Sequence, residues 1–290
     1  MASGSGQEWR LTYRPDLLRG QTALVTGGGS GIGFAIAAAL GELGANLAIV
    51  GRTEARLLEA RDALAEATGS QVEPVAADIR DFDQLRSAYD RVADALGGID
   101  VVVNNAGGQF AARFEDISVR GFRAVVETNL MGTFHSCKCA TDFMMRHGGG
   151  RIINVVNEYS FDRGGPEFAH SGAARAGVVN LTYTLALEMA AYAINVNALS
   201  PGTIATPGMD ANYGNDAHGD WLDRCRRAIP MRRFGTPAEV AAAVVFLASP
   251  AAAYLTGTVI RLDGGSYLGN TEYAWPEAMR SSPIRPDGTG

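Results

Sequence analysis

In the segment HSGAARAGV, Ser171 stands four residues before Arg175, a spacing that stacks both side chains on one helix face. A hydroxyl and a guanidinium placed together can donate hydrogen bonds to an oxygen that gains negative charge. They are poor partners for proton exchange near neutral pH, because serine needs an activating base and arginine stays charged. A second group with chemical meaning lies near the start of the chain. TALVT runs straight into GGGSGIG and then the helical pattern FAIAAALGELG. Glycines at 27, 31 and 33 let the backbone turn tightly and approach a pyrophosphate, while the helix start offers free N–H groups and a positive dipole end. About twenty residues past such a turn, a carboxylate binds a ribose 2′-hydroxyl whereas an arginine accommodates a 2′-phosphate. Here AIVGRT puts Gly51 and then Arg52 at that point. A guanidinium pairs with phosphate and stacks on adenine, so NADP(H) is expected over NAD(H).

These residues need a scaffold, and its rhythm is visible. TALVT (22–26), NLAIV (46–50), VEPVAA (72–77), DVVVN (100–104), RIINVV (151–156), INVNAL (194–199) and TVIRL (258–262) read as strands. Most are continuous apolar runs, as expected of parallel strands covered on both faces. Amphipathic segments such as Glu54–Thr68 and Asp81–Leu96 alternate with them. The fold expected is α/β, a Rossmann-type, doubly wound parallel sheet of seven strands with helices on both faces in a single domain. That domain spans 20–269, between an N-terminal arm (1–19) that looks loose and a Ser/Pro/Gly-rich C-terminal tail (270–290). The connection 202–233 is long and carries Met209, Tyr213, Trp221 and Leu222, which suggests a lid over an apolar substrate.

The glycine spacing is TGxxxGxG (Thr26, Gly27, Gly31, Gly33), and with NNAG at 104–107 it resembles the short-chain dehydrogenase/reductase family over nearly the whole chain. The resemblance implies a cofactor site built from Gly27, Ser30, Gly31, Ile32, Gly33, Arg52, Asp78, Asn105, Ala106 and Gly107. Asp78 takes the acidic position near the adenine. Pro201, Gly202, Ile204 and Thr206 of SPGTIAT take the turn beside the nicotinamide, and LDGG (262–265) matches the last strand. Asn129 of ETNLMGTF matches the family's helix asparagine and joins the catalytic set.

The family places Tyr-x-x-x-Lys on the active-site helix. AGVVNLT fixes the register here, so Ser171 falls on the tyrosine position and Arg175 on the lysine position over the cofactor. The family's upstream serine is replaced by Asn157 or Glu158, depending on a one-residue gap. HSGAARAGVVNLT, NNAGGQF, ETNLMGTF and NYG (212–214) resemble the branch containing peroxisomal trans-2-enoyl-CoA reductase, beside the 2,4-dienoyl-CoA reductases. In that branch a tyrosine further upstream can supply the proton, and Tyr159 of NEYSF stands near that place. The expected catalytic residues are Ser171, Arg175, Asn129 and Tyr159. Reduction of a C=C bond conjugated to a thioester or ketone suits them, because fixed donors stabilise an enolate. Reduction of C=O or C=N, and nucleotide binding without catalysis, remain as alternatives.

Composition narrows the partners. The chain has 290 residues, 47% hydrophobic and 19% charged, with a net charge of −6, a balance that gives a large core and no basic face for nucleic acid. The longest apolar stretch, near Val240–Leu255, is broken by Ser249 and Pro250, so no membrane span is expected. Cys137, Cys139 and Cys225 form no C-x-x-C and read as packed thiols, and the four histidines form no metal-ligand pattern. A cytoplasmic setting follows from the thiols, and PDGTG at the C-terminus is no peroxisomal address. The substrate is a small molecule and could be an acyl-CoA, for whose phosphates Arg224, Arg226, Arg227, Arg232 and Arg233 are candidates. The family's habit implies a homotetramer or homodimer.

Overall fold

The computed structural model describes residues 13–206, 208–209 and 219–269, with the backbone alone for 219–221. The first twelve residues, Tyr213, the Trp221 side chain and the tail from 270 lie outside the described residues. Seven parallel strands form one sheet: β1 (Thr22–Thr26), β2 (Asn46–Gly51), β3 (Val72–Ala76), β4 (Val101–Asn104), β5 (Gly150–Val155), β6 (Ile194–Pro201) and β7 (Val259–Leu262). Their order is β3-β2-β1-β4-β5-β6-β7. The order reverses between β1 and β4, which opens a crevice beyond the carboxyl ends Thr26 and Asn104, paired in register. Each expected strand is present, with ends shifted by one or two residues.

The helices are α1 (Gly31–Glu42), α2 (Glu54–Thr68), α3 (Phe82–Leu96), α4 (Val119–Val126), α5 (Gly132–His147), α6 (Ala169–Met189), α7 (Gly219–Ala228) and α8 (Pro237–Ala248). Local chemistry starts and stops them. The Asp81 side chain accepts from the N–H groups of Asp83 and Gln84 at the start of α3, and left-handed Gly97 ends it. Thr236 and Glu239 form a capping box at α8, with Pro237 in its first turn. Pro74 lies on the edge strand β3, where a missing N–H is tolerated.

The pleat sends alternate residues of β1 into different cores. Ala23 and Val25 join Leu40 of α1 and Val244 of α8, while Leu24 joins Val92 of α3 and Met144 of α5. Burying one such Leu or Ile contributes about 1.5–3 kcal/mol. The N-terminal arm departs from expectation between residues 13 and 19. Leu18 is fully buried in the first core, and its N–H donates to Leu43 O at 2.8 Å. Apolar burial therefore begins before β1, and the segment there is not loose.

A polar chain runs through the second core below the crevice. Tyr89 OH and Ser136 Oγ lie 2.7 Å apart, Asn104 Nδ2 donates to Asn154 Oδ1 at 2.8 Å, and Asn154 Nδ2 donates to Thr182 Oγ1 at 2.9 Å. Each of these groups has a partner, so burial costs little and the network fixes α3, α5 and α6 against the sheet. Burial pushes the Cys137 thiol beside it up to about 12. Cys137 and Cys139 are packed thiols as expected, whereas Cys225 is half-buried and borders a cleft.

Candidate active site

Two adjoining cavities open at the carboxyl ends of the strands, of about 480 Å³ and about 340 Å³. Ile32, Asn105, Thr206 and Gly208 line both, so the two form one crevice. The first is walled by Gly27, Ser30, Gly31, Ile32, Gly33, Arg52, Asp78, Asn105, Ala106 and Gly107. The second is walled by Arg175, Pro201, Gly202, Ile204 and Thr206 among others. The residues expected at a cofactor are thus brought together.

The glycine turn is shaped for close approach. A Cβ at Gly33 would fall 2.6 Å from Asn105 Nδ2 and closer still to the Gly27 carbonyl. Ser30 caps α1 in extended conformation yet makes no side-chain capping bond, which leaves its hydroxyl and the first N–H groups of α1 for a ligand. Thr26 Oγ1 accepts from the N–H groups of Asn105 and Ala106 at 3.1 and 3.0 Å and joins the ends of β1 and β4. At the far end Arg80 binds Asp78 through two nitrogens, with Nη2 2.5 Å from Oδ2, and holds that carboxyl below its usual range. Arg52 and Arg56 are exposed at the cavity wall and form no ion pair among the described residues. A backbone cradle, an unspent hydroxyl and cationic walls fit the phosphates of a dinucleotide.

The catalytic candidates do not all face the crevice. Arg175 and Tyr159 line the second cavity; Ser171 and Asn129 line neither. Ser171 has no exposed surface. Its Oγ donates to Gln109 Oε1 at 2.5 Å and accepts from Asn157 Nδ2 at 3.0 Å. Those two amides border the cleft, so Ser171 stands one layer behind them, which corrects the expectation that its hydroxyl meets the substrate. The Asn157 contact also resolves the one-residue ambiguity: Asn157 faces the helix, and Glu158 turns away from it. Asn129 sits in a π-helical turn, Glu127–Met131, where an extra residue per turn pushes its side chain inward. Its amide donates to Gly108 O and accepts from Gly108 N, both at 2.9 Å, and so clamps the loop after β4.

Arg175 donates from Nη1 to Val155 O at 2.5 Å. Its Nε is buried without a protein partner among the described residues, and burial lowers its pKa to about 10, which still leaves it charged at neutral pH. A Cβ at Gly107 would fall 2.5 Å from Arg175 Nη2, so the NNAG glycine makes room for this guanidinium.

Tyr159 is seated by its own loop. Its ring stacks on Phe168 with centroids 5.7 Å apart and an interplanar angle of 13°, and the Arg163 guanidinium lies 5.4 Å from its centroid. Burial first, and then the charge of Glu158, push its phenol well above the usual range. It is therefore a hydrogen-bond donor across the neutral range. In the 202–233 connection, Met209 and Cys225 border the cleft. Sequence reasoning missed Gln109; its only signal was an amide just past NNAG.

The family model described as Enoyl-(Acyl carrier protein) reductase matches residues 27–267. The peroxisomal 2,4-dienoyl-CoA reductase [(3E)-enoyl-CoA-producing] of Danio rerio is 36% identical over 257 residues, covering 88% of this chain and 84% of that protein. The citronellol catabolism dehydrogenase of Pseudomonas aeruginosa PAO1 superposes with a TM-score of 0.76 at 37% identity, over 88% of this chain and 98% of that one. A crystal structure from Beutenbergia cavernae with NADP bound at low occupancy gives a TM-score of 0.80 at 36% identity, over 88% of this chain and 100% of that one. With its parallel seven-stranded sheet, its TGxxxGxG cradle and these matches, the chain belongs to the short-chain dehydrogenase/reductase family and is an oxidoreductase that uses a nicotinamide cofactor.

Proposed function

We propose that the chain is an NADPH-dependent reductase of a C=C bond conjugated to a carbonyl, acting on an acyl-CoA thioester or related enone. The observation that carries this reading is the helix register. Ser171 and Arg175 occupy the places of the family's proton-exchanging tyrosine and its lysine, and Ser171 is already held by Gln109 and Asn157. A site of fixed donors suits an enolate better than an alkoxide that must exchange its proton there. The bound nicotinamide would supply the hydride. Gln109, Asn157 and Tyr159 are the cleft-lining donors for the developing oxyanion, with Tyr159 as the proton source. Arg175 would hold the cofactor ribose, and Asn129 keeps the Gly107–Gly108 backbone in place for it. The name of the Danio rerio relative supports an enoyl-CoA type of substrate. Reduction of a carbonyl is the second reading, favoured by the citronellol catabolism dehydrogenase.

An NADPH-consumption assay decides between them. Turnover with crotonyl-CoA, a longer 2-enoyl-CoA or a 2,4-dienoyl-CoA is expected; turnover confined to ketones, aldehydes or imines would overturn the C=C reading. Arg175→Ala should lower kcat/KM by about 100-fold, the scale of a cofactor misplaced by about 1 Å, and Ser171→Ala by about tenfold through loosened amides. Full kcat/KM in the Arg175 variant would remove it from the site.

Preference for NADPH rests on charge. Arg52 and Arg56 are unpaired among the described residues, while Asp78 is neutralised by Arg80, so the adenosine end is cationic. Arg52→Ala should raise KM for NADPH about tenfold and leave that for NADH unchanged, the worth of one charge-assisted contact. Equal effects on both would sink the 2′-phosphate role. For CoA phosphates the candidates narrow. Arg226 pairs with Asp223 at 2.6 Å and Arg233 with Glu239 at 2.6 Å, which leaves Arg224 and Arg227 without ion pairs among the described residues. Exposed Phe122, Phe134 and Leu187 on α4, α5 and α6 support assembly as a homodimer or homotetramer. No described helix is long and apolar enough to cross a membrane. The cytosol is our proposed compartment; the Danio rerio relative is named as peroxisomal, and imaging the tagged full chain distinguishes the two.

A further inference from the structure

The loop between β5 and α6 holds a buried charge cluster that the reaction as described leaves unused. Glu158 is only 8% exposed. Its Oε2 accepts from Ser266 Oγ at 2.7 Å and lies 3.5 Å from Arg163 Nη2. Arg163 in turn donates from Nη1 to Ser266 O at 2.6 Å. A second tie holds the same loop: Arg261 of β7 bonds Asp162 and lies 4.4 Å from the Phe161 ring centroid. Asp162 and Glu167 are left-handed non-glycine residues, with φ of 64° and 69°, a conformation that persists only where surrounding contacts impose it. Arg261 of β7 holds the first, and the Ala112 N–H donates to the carbonyl of the second at 3.1 Å.

A buried carboxylate is costly unless paired, and Arg163 with Ser266 offsets that cost. Closing a loop would not require a charge at the wall of the cleft. Glu158 is at that wall, next in sequence to Tyr159, and Arg163 reaches both of them.

We propose that Glu158, held by Ser266 and Arg163, is a positioning residue that keeps the Tyr159 phenol in the cleft as a proton donor. The inference rests on the reading that Tyr159 is the proton source. In that reaction the substrate gains a hydride at one carbon and a proton from the phenol, and water returns a proton to the phenolate. Alcohol oxidation needs the opposite, a phenolate ready to accept a proton. The charged and titratable groups that face the phenol are Glu158, Arg163 and Cys225. Burial and the Glu158 charge disfavour phenolate, and Arg163 opposes them, so the carboxylate outweighs the cation that holds it.

The test uses the full chain with NADPH and the 2-enoyl-CoA it reduces, and reads kcat against pH together with NADPH Kd. Glu158→Gln keeps an acceptor for Ser266 but removes the charge. It should lower kcat about tenfold by loosening Arg163, which lies over the Tyr159 ring, leave NADPH Kd unchanged, and move the alkaline limb of kcat to lower pH, because the phenol then ionises more readily. Ser266→Ala, on a partly exposed turn, should act in the same direction by about threefold and decides the matter if the first variant does not fold. Unchanged kcat and pH profile in these variants, with Tyr159→Phe inactive, would overturn the role of Glu158 alone. Full activity in Tyr159→Phe would overturn the proton-donor reading and this inference with it.

Discussion

A Gly33→Ala variant should bind NADPH at least about 100-fold more weakly. The added Cβ would meet the Gly27 carbonyl group, with Gly27 C at 2.8 Å and Asn105 Nδ2 at 2.6 Å. Neither can retreat freely. Gly27 N donates to Val50 O at 2.7 Å, and Asn105 Nδ2 donates to Thr26 O at 3.1 Å. The turn must therefore move as a unit away from β2 or β4, and overpacking of that kind costs about 1–3 kcal/mol in stability as well. Gly31→Ala is the control. Its Cβ would meet nothing within 4 Å, and the cost is confined to a φ of 55°, about 1–2 kcal/mol. Calorimetric titration with NADPH and thermal melts of both variants separate close approach from backbone conformation. A Gly33→Ala chain that binds NADPH within about threefold of wild type would show that the turn does not cradle the cofactor.

The contrast between those glycines shows what the sequence makes legible. Strands with continuous apolar runs stand out because parallel strands are covered on both faces, and TALVT, NLAIV and DVVVN reappear as β1, β2 and β4 within a residue or so. The glycine turn at 27–33 is legible because it is local, whereas Asp78, Asn105 and Arg175, distant along the chain, join its crevice in a way that only the family resemblance implied. Ser171 was harder. Helical spacing puts it on one face with Arg175, but Gln109, 62 residues away, decides that its hydroxyl is spent behind the cleft. Glu158 and Ser266 are 108 residues apart, and no local pattern links a loop after β5 to a turn after β7. Asn104, the one residue of NNAG not expected at the cofactor, has its amide in the core toward Asn154 and Cys137, because the pleat turns alternate residues to opposite faces. Leu18 was misread through composition, as the polar residues of the segment mask a short apolar group, Tyr13, Leu17 and Leu18, that packs in the first core.

Gly165→Ala should reduce kcat by about 10–100-fold while leaving NADPH affinity intact, because it acts on Tyr159 and not on the cradle. A Cβ at Gly165 would fall 2.5 Å from Tyr159 Cγ and 2.6 Å from both Cδ atoms. Those atoms are at the root of the ring, so rotation about the last side-chain bond cannot relieve the clash. The ring must shift as a body against Phe168, on which it stacks, and the phenol goes with it. A displacement on the order of 1 Å is enough to cost a factor near 100 when the moved group supplies the proton. The cofactor wall shares no residue with this contact, so binding and chemistry should separate: Kd from titration unchanged, single-turnover rate reduced. A Gly165→Ala change on the Tyr159→Phe background should then add little, since the proton donor it would displace is already gone. Independent, multiplicative losses would mean that Gly165→Ala acts on the loop through some other contact and that Tyr159 is only a packed ring.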